Sequence, residues 1–218
     1  MKVSVVIPTL NEEKNLPKVL KEIKNRVNEI IVVDGYSKDK TVEVAKKFGV
    51  KVIFDDIGKG SALRKGMKAA KGDIVITMDA DYSHKSSEIG LLIEGIKSGF
   101  DICMGSRFIQ GGGTEDMPWY RYLGNKFFVT LVNLFWNMNY SDLCYGYRSF
   151  RKSCINKLGL ESNGFGIETE IAIKAAKKKV KVLEVPSYEK VRNYGKGNLR
   201  TFSDGWLILK TILKELSS

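Results

Sequence analysis

The sequence predicts an α/β chain: parallel strands forming one sheet, with helices packed on both of its faces. Two observations carry this. Short, apolar, β-branched runs recur through the first hundred residues, at 3–7, 29–34, 50–54 and 73–79. Between them lie stretches with apolar residues at helical spacing, and fully apolar strands separated by amphipathic helices need cover on both faces.

Each element follows from its residues. Residues 3–7 form a strand that ends at Pro8. Asn11 can cap the next helix, with Glu12 and Glu13 in its first turn and Leu16, Val19, Leu20, Ile23 and Val27 on one face. Residues 29–34 are the second strand, stopped by Gly35. Ser37 or Asp39 then starts a helix carrying Val42, Val44, Ala45 and Phe48, which Gly49 closes. A strand over 50–54, a helix over 60–70, a strand over 73–79, a helix over 86–98 and a short strand over 101–104 complete the first half. In the second half Gly111-Gly112-Gly113 opens a loop and residues 119–140 form an aromatic-rich helix. Strands over 147–151 and 180–189 flank a helix over 166–179, and residues 199–216 make a terminal amphipathic helix. No internal repeat is visible.

Composition bounds the function. The chain has 218 residues, enough for one domain over 1–218. With 43% hydrophobic and 28% charged residues it is globular in composition. The longest uncharged stretch of the apolar middle, residues 127–141, contains Asn133, Asn137 and Asn139 and is shorter than the ~20 residues a spanning helix needs. The N-terminus turns polar too early for a signal peptide. Three Cys and one His, at Cys103, Cys144, Cys154 and His84, match neither a disulfide framework nor a zinc pattern, and reduced thiols suit a cytoplasmic setting. Thirty-six Lys+Arg against 25 Asp+Glu leave a net charge of +11, so nucleic acid, an anionic membrane or a phosphorylated substrate is expected as a partner. The excess is uneven: residues 1–110 hold 19 basic against 15 acidic residues, and residues 111–218 hold 17 against 10.

Sheets of this kind bind ligands outside the carboxyl ends of their strands. Those ends carry Pro8-Thr9, Asp34 and Asp79-Ala80-Asp81, so three acids converge on one edge. Two carboxylates one small residue apart suit a hard divalent ion such as Mg²⁺ or Mn²⁺, which completes its shell with water and substrate phosphates. Gly58-Lys59-Gly60-Ser61 precedes a helix whose N–H groups can receive phosphate. It is not a P-loop, and no Gly-x-Gly-x-x-Gly follows the first strand, which argues against a P-loop kinase and a nicotinamide dehydrogenase.

The order Val5-Val6-Ile7-Pro8-Thr9-Leu10-Asn11-Glu12, Val33-Asp34-Gly35-Tyr36-Ser37, Gly58-Lys59-Gly60, Met78-Asp79-Ala80-Asp81, Gly105-Ser106-Arg107, Ser141-Asp142-Leu143-Cys144-Tyr145-Gly146-Tyr147-Arg148 and Arg192-Asn193-Tyr194-Gly195-Lys196-Gly197 resembles glycosyltransferase family 2. Within it, the dolichyl-phosphate mannose synthases and related polyprenyl-phosphate hexosyltransferases are the nearest in pattern. The resemblance runs over nearly the whole chain. It implies a GT-A fold, a Rossmann-like, mixed and mostly parallel sheet with flanking helices. It also implies a nucleotide-sugar donor, a divalent metal and inversion at the anomeric carbon. Residues 1–110 become the nucleotide-sugar half and 111–218 the acceptor half.

The same resemblance assigns roles. Pro8, Thr9 and Glu12 line the nucleoside pocket, and Asp34 contacts the base or ribose. Lys59 and Ala80 belong to the donor site. Asp79 and Asp81 hold nucleotide and metal, with Ser83 as a further metal ligand. Arg107, Arg121 and Asn125 grip the acceptor phosphate, Arg192 meets the donor pyrophosphate, and Asp142 lies near the acceptor. The sequence departs from many relatives in lacking a second acid beside Asp34, and in carrying Asn198 after Gly197. The acids Glu168 and Glu170 fall in a stretch where the mannose synthases vary, and that stretch looks more like the glucosyl- or N-acetylhexosaminyl-transferring branch.

These features lead to one expected activity: a metal-dependent, inverting transfer of a hexose from GDP-mannose or a UDP-hexose to dolichyl or polyprenyl phosphate. The enzyme is expected to be peripheral at the cytosolic membrane face, reversibly bound or held by a separate anchor subunit, with no nucleic acid partner. A phosphate monoester acceptor is already anionic and needs positioning rather than a strong base. A soluble hydroxyl acceptor would need one, with Asp142 or Glu168 as candidates. A sugar nucleotidyltransferase would need a glycine-rich loop where Pro8-Thr9-Leu10-Asn11 stands.

Overall fold

The computed structural model describes residues 1–197 and 200–217, so Asn198 and the start of the expected terminal helix, Leu199, lie outside the described residues. The chain alternates strand and helix through β1 (Val3–Thr9), α1 (Leu16–Ile23), β2 (Glu29–Asp34), α2 (Thr41–Lys47), β3 (Lys51–Phe54), α3 (Lys59–Ala69) and β4 (Ile74–Thr77). A 3-10 turn (Ser86–Glu88) leads into α4 (Ile89–Lys97), followed by β5 (Ile102–Ser106) and the short β6 (Gly113–Thr114). The long α5 (Trp119–Trp136), β7 (Arg148–Arg151), α6 (Lys152–Leu158), α7 (Ile167–Lys177), β8 (Val182–Pro186), β9 (Tyr188–Glu189) and α8 (Thr201–Leu216) follow.

Seven strands form one sheet in the order β3-β2-β1-β4-β7-β5-β8. All neighbours are parallel except β7, which runs antiparallel between β4 and β5. The sheet is therefore mixed rather than purely parallel. Its apolar strands bury both faces: Val5 and Ile7 pack with Leu16, Leu20 and Ile23 of α1, and Val6 packs with Met67 of α3 on the other side. Full burial of such a side chain stabilises by about 1.5–3 kcal/mol, so four on α1 alone suffice to dock a helix too short to persist by itself.

The first helix starts later than Asn11. Asn11 sits at φ 57° with its Oδ1 accepting the Lys38 N–H (2.8 Å), and α1 begins at Leu16 with a proline in its first turn. The intervening residues are tied to the β2–α2 loop instead: the N–H groups of Asn11, Glu12 and Glu13 donate to Ser37 Oγ, Thr41 Oγ1 and Asp39. This stitching turns Glu12 inward. The helix over 152–158 and the two-residue strands β6 and β9 are too short to announce themselves in the sequence pattern.

Candidate active site

The carboxyl ends of β1, β2 and β4 open into a cleft of about 830 Å³, which runs from the loop after β3 to the N-terminal half of α5. Pro8, Thr9 and Glu12 line its first wall. Asp34 does not reach the surface. It is fully buried behind that wall, with its carboxylate accepting from Thr9 Oγ1 (2.9 Å), Ser37 N (2.8 Å) and Ser37 Oγ (2.7 Å). Asp34, expected to contact base or ribose, therefore stands behind the cleft wall and not among the residues that line it. The acids that line the cleft there, just past β3, are Asp56, which is exposed, and Asp55, which is buried with its carboxylate accepting from Ser61 Oγ (3.0 Å) and the Ile57 N–H (3.2 Å). Sequence reasoning misses them, although an acid pair at a strand end is the same signal that singles out residues 79–81.

Asp79, Ala80 and Asp81 lie on the cleft floor. Lys59 Nζ stands 2.9 Å from Asp79 Oδ1 and 3.0 Å from a Glu168 oxygen, so one ammonium joins the end of β4 to the start of α7. Both partners hold the Lys59 ammonium well above its ordinary range against the opposing effect of burial. Beneath Asp79 lies the buried His84, stacked on Tyr147 at 4.6 Å and edge-on to Tyr145 at 4.9 Å. Its Nδ1 accepts the Asp79 N–H (3.2 Å), which leaves Nε2 to face Asp79 Oδ2 at 3.8 Å. Burial pushes the Asp79 carboxyl up, but Lys59 and His84 more than reverse this and hold it below the usual carboxylate value.

Asp81 accepts the Ser83 N–H (3.0 Å) and faces Arg192 at 3.3 Å. Arg192 also grips Glu12, whose carboxyl is raised chiefly by burial. Ser83, expected as a further metal ligand, is buried and does not line the cleft. Among the described residues no three His, Cys, Asp or Glu side chains cluster into a metal cage. Two cleft-facing carboxylates fit an ion of the Mg²⁺ or Mn²⁺ kind, which takes one or two protein carboxylates and fills its remaining positions with phosphate oxygens and water.

At the other end of the cleft stand Arg107, Arg121 and Asn125. Arg107 is anchored by Asp142 through two bonds (Nε 2.7 Å, Nη2 2.9 Å) and by Glu189 at 3.0 Å, with Tyr145 beneath its guanidinium at 4.7 Å. Asp142 is fully buried under it and takes no part in the cleft surface. Arg121 donates from Nε to Thr201 Oγ1 (3.1 Å), which links α5 to α8. Asn125 accepts the N–H groups of Leu143 and Cys144 (both 3.2 Å), and its buried Nδ2 has no hydrogen-bond partner. A buried donor left unmade on a cleft wall is costly unless a ligand takes it.

Two further residues shape the closed end. Gly60 lies so close to the 162–164 loop that a Cβ there would fall 2.3 Å from the Ser162 carbonyl oxygen. Arg148, wholly buried, donates to the carbonyls of Leu143, Tyr145 and Glu168, tying the 142–147 loop to α7. Glu170 faces away from the cleft and holds the N–H groups of Glu161 and Ser162 (2.8 Å each).

A profile described as glycosyl transferase family 2 matches residues 4–159. The dolichol-phosphate mannosyltransferase of Pyrococcus furiosus is 41% identical over 212 residues, which cover 92% of this chain and 60% of that protein. The chain thus spans less than two thirds of that relative's length. The uncharacterized protein MJ1222 of Methanocaldococcus jannaschii is 34% identical over 191 residues, 84% of this chain and 79% of that one. Among solved structures, glucosyl-3-phosphoglycerate synthase of Mycobacterium tuberculosis, held in complex with Mn²⁺, UDP and glucosyl-3-phosphoglycerate, superposes with a TM-score of 0.78 over 99% of this chain and 80% of that one at 20% identity. That likeness is one of fold, and it agrees with the GT-A architecture expected from the sequence.

Proposed function

The chain belongs to glycosyltransferase family 2, and from that premise we propose that it moves a hexose from a nucleotide sugar to a polyprenyl or dolichyl phosphate. The observation that carries the acceptor class is the state of Asp142. Of the two carboxylates expected as base for a hydroxyl acceptor, Asp142 is buried beneath Arg107 with both oxygens taken, and Glu168 is buried and paired with Lys59 at 3.0 Å. What lines the cleft instead is a set of phosphate-type donors: Arg107, Arg121 and Asn125, whose buried Nδ2 has no hydrogen-bond partner. A guanidinium keeps its charge and matches phosphate oxygens in pairs. The name of the Pyrococcus furiosus relative, a dolichol-phosphate mannosyltransferase, points the same way.

In this reading the nucleoside lies along Pro8, Thr9 and the Asp55–Asp56 wall, and the diphosphate reaches Asp79, Asp81 and Arg192. A Mg²⁺ or Mn²⁺ ion held by Asp79 and Asp81 would offset charge on the departing diphosphate. Arg192 supports the same charge from the protein side. Lys59 and His84 keep Asp79 anionic and aimed at the cleft, so it needs no rearrangement to receive the donor. The acceptor phosphate, held by Arg107, Arg121 and Asn125, attacks the anomeric carbon from the side opposite the leaving group. Placement supplies the rate, because the nucleophile already carries its charge.

The exposed apolar residues of α5 and α8 support docking on an anionic membrane surface. Phe202 is 92% exposed, Trp119 73% and Leu134 72%, and residues 178–200 between α7 and α8 carry seven basic side chains against two acidic ones. Among the described residues no helix is long and apolar enough to cross a membrane. The attachment proposed for α5 and α8 is peripheral. The test is calorimetry with GDP-mannose, UDP-glucose and UDP-N-acetylglucosamine in the presence of Mn²⁺, followed by transfer to a short-chain polyprenyl phosphate. Asp79→Asn and Asp81→Asn should abolish metal-dependent transfer. Full activity in either variant, or transfer to a soluble sugar hydroxyl in place of the lipid phosphate, refutes the proposal.

A further inference from the structure

The loop that carries the two cleft acids is fixed from outside the cleft. Asp81 Oδ1 accepts the Ser83 N–H (3.0 Å), and the residue between them, Tyr82, has φ 69°. An aromatic side chain in that left-handed region is an outlier, and such residues persist only where their surroundings over-determine them. Here the surroundings are identifiable. The Tyr82 hydroxyl donates to one oxygen of Glu22 on α1, and the other oxygen of Glu22 accepts from Ser86 Oγ (2.6 Å). One carboxylate therefore ties together both ends of the 82–86 segment. The ammonium groups of Lys18 and Lys190 stand 5.7 and 5.3 Å from the Tyr82 ring centroid. Burial pushes the Glu22 carboxyl up, but the hydrogen bonds from Ser86 and Tyr82 outweigh this and hold it below its ordinary value.

We infer that Glu22 and Tyr82 are positioning residues for Asp81, holding the backbone at residue 82 left-handed so that the Asp81 carboxylate stays turned into the cleft. This rests on the proposed donor site. Neither side chain lines the cleft, so neither meets donor or acceptor. If Tyr82 relaxed to negative φ, the Ser83 N–H would swing away from Asp81 Oδ1. The carboxylate would then have to be re-ordered each time a metal and diphosphate bind.

The experiment is calorimetric titration of Mn²⁺ together with GDP, and separately with UDP, into the wild-type protein and into Glu22→Gln, Tyr82→Phe, Tyr82→Ala and Tyr82→Gly. Glu22→Gln and Tyr82→Phe should weaken Mn²⁺–nucleotide binding about tenfold, at the low end of the about 10–100-fold that outer-shell partners command. Binding of the nucleotide without metal should stay unchanged. Tyr82→Ala and Tyr82→Gly lose the same ring, but glycine takes positive φ freely and alanine does not. The alanine variant should therefore bind Mn²⁺–nucleotide about tenfold more weakly than the glycine variant. Equal affinities for alanine and glycine, or equal losses with and without metal, overturn the inference and leave Tyr82 a structural residue only. A wild-type protein that binds neither Mn²⁺–nucleotide overturns the donor-site reading and this inference with it.

Discussion

Replacing Arg107 by methionine removes the cation from a carboxylate that folding has buried completely. Asp142 has no exposed surface, and two of its hydrogen bonds come from the Arg107 guanidinium, at 2.7 and 2.9 Å. What remains to it is the N–H of residue 107 at 3.3 Å and that of Cys144 at 3.2 Å, both long. Breaking a buried pair from one side costs about 3–5 kcal/mol. Arg107 also meets Glu189 at 3.0 Å, and that carboxylate, part-exposed, can turn to water and adds little. A loss near 4 kcal/mol, roughly a quarter or more of a typical total of about 5–15 kcal/mol, is therefore expected. Arg107→Met/Asp142→Leu should recover much of it, because replacing both partners of a buried pair by apolar groups is often close to neutral. Urea unfolding of wild type, single and double variants at pH 7 measures both quantities. Donor binding should survive in the double variant while turnover with the polyprenyl phosphate collapses. A single-variant loss below about 1 kcal/mol, the worth of an exposed pair, or a double variant no more stable than the single, would show that the pair does not bear the load assigned to it.

Gly60→Ala should destabilise by about 1–3 kcal/mol, as overpacking does, because its Cβ would press on the backbone oxygens of Ser162 and Gly164; denaturant midpoints measure it, and an unchanged midpoint refutes the close contact. Burial pushes the thiols of Cys103 and Cys144 up to about 12 and that of Cys154 to about 11. Unfolded thiols ionise first, near their ordinary value, so between pH 9 and about 11 the unfolded chain loses protons the folded chain keeps, and stability falls as pH rises. Folded protein should accordingly show no fast thiol reaction with a disulfide reagent at pH 8, and rapid labelling of Cys144 would contradict this. Phe202→Ser/Trp206→Ser should leave the unfolding midpoint nearly unchanged, surface substitutions being worth about 0.5 kcal/mol or less. It should also reduce flotation with anionic vesicles, and retention at wild-type levels would move the docking face elsewhere.

The parts of the fold visible in the sequence are those with a local cause. Uninterrupted apolar runs disclose β1, β2 and β4, and the acids at their ends disclose the cleft. What escapes depends on residues far apart in the chain. Asp34 reads as a ligand contact because it ends a strand, but Thr9, which donates to its carboxylate alongside the local Ser37, comes beside it only when β1 and β2 pair. His84 reads as an ordinary loop residue, since its role needs Tyr145 and Tyr147 from sixty residues on. Asp142 cannot be separated from a general base until Arg107 is seen above it. The antiparallel direction of β7 is equally silent, because a strand buried on both faces reads the same in either direction.

That inserted strand governs the order in which the molecule can be built. As the chain leaves the ribosome, β1 to β4 are complete by residue 77, yet the free side of β4 waits for β7 at residues 148–151. For some seventy residues of synthesis a central, apolar strand is an open edge, the arrangement most prone to pair with the wrong partner. β5 emerges in that interval and could add to β4 directly, which would give a shorter sheet without the loop that roots Arg107 and Asp79. The native order requires β5 to stand aside until β7 arrives. The sheet centre therefore closes only on residues 148–151, and that one late strand draws both ends of the cleft together.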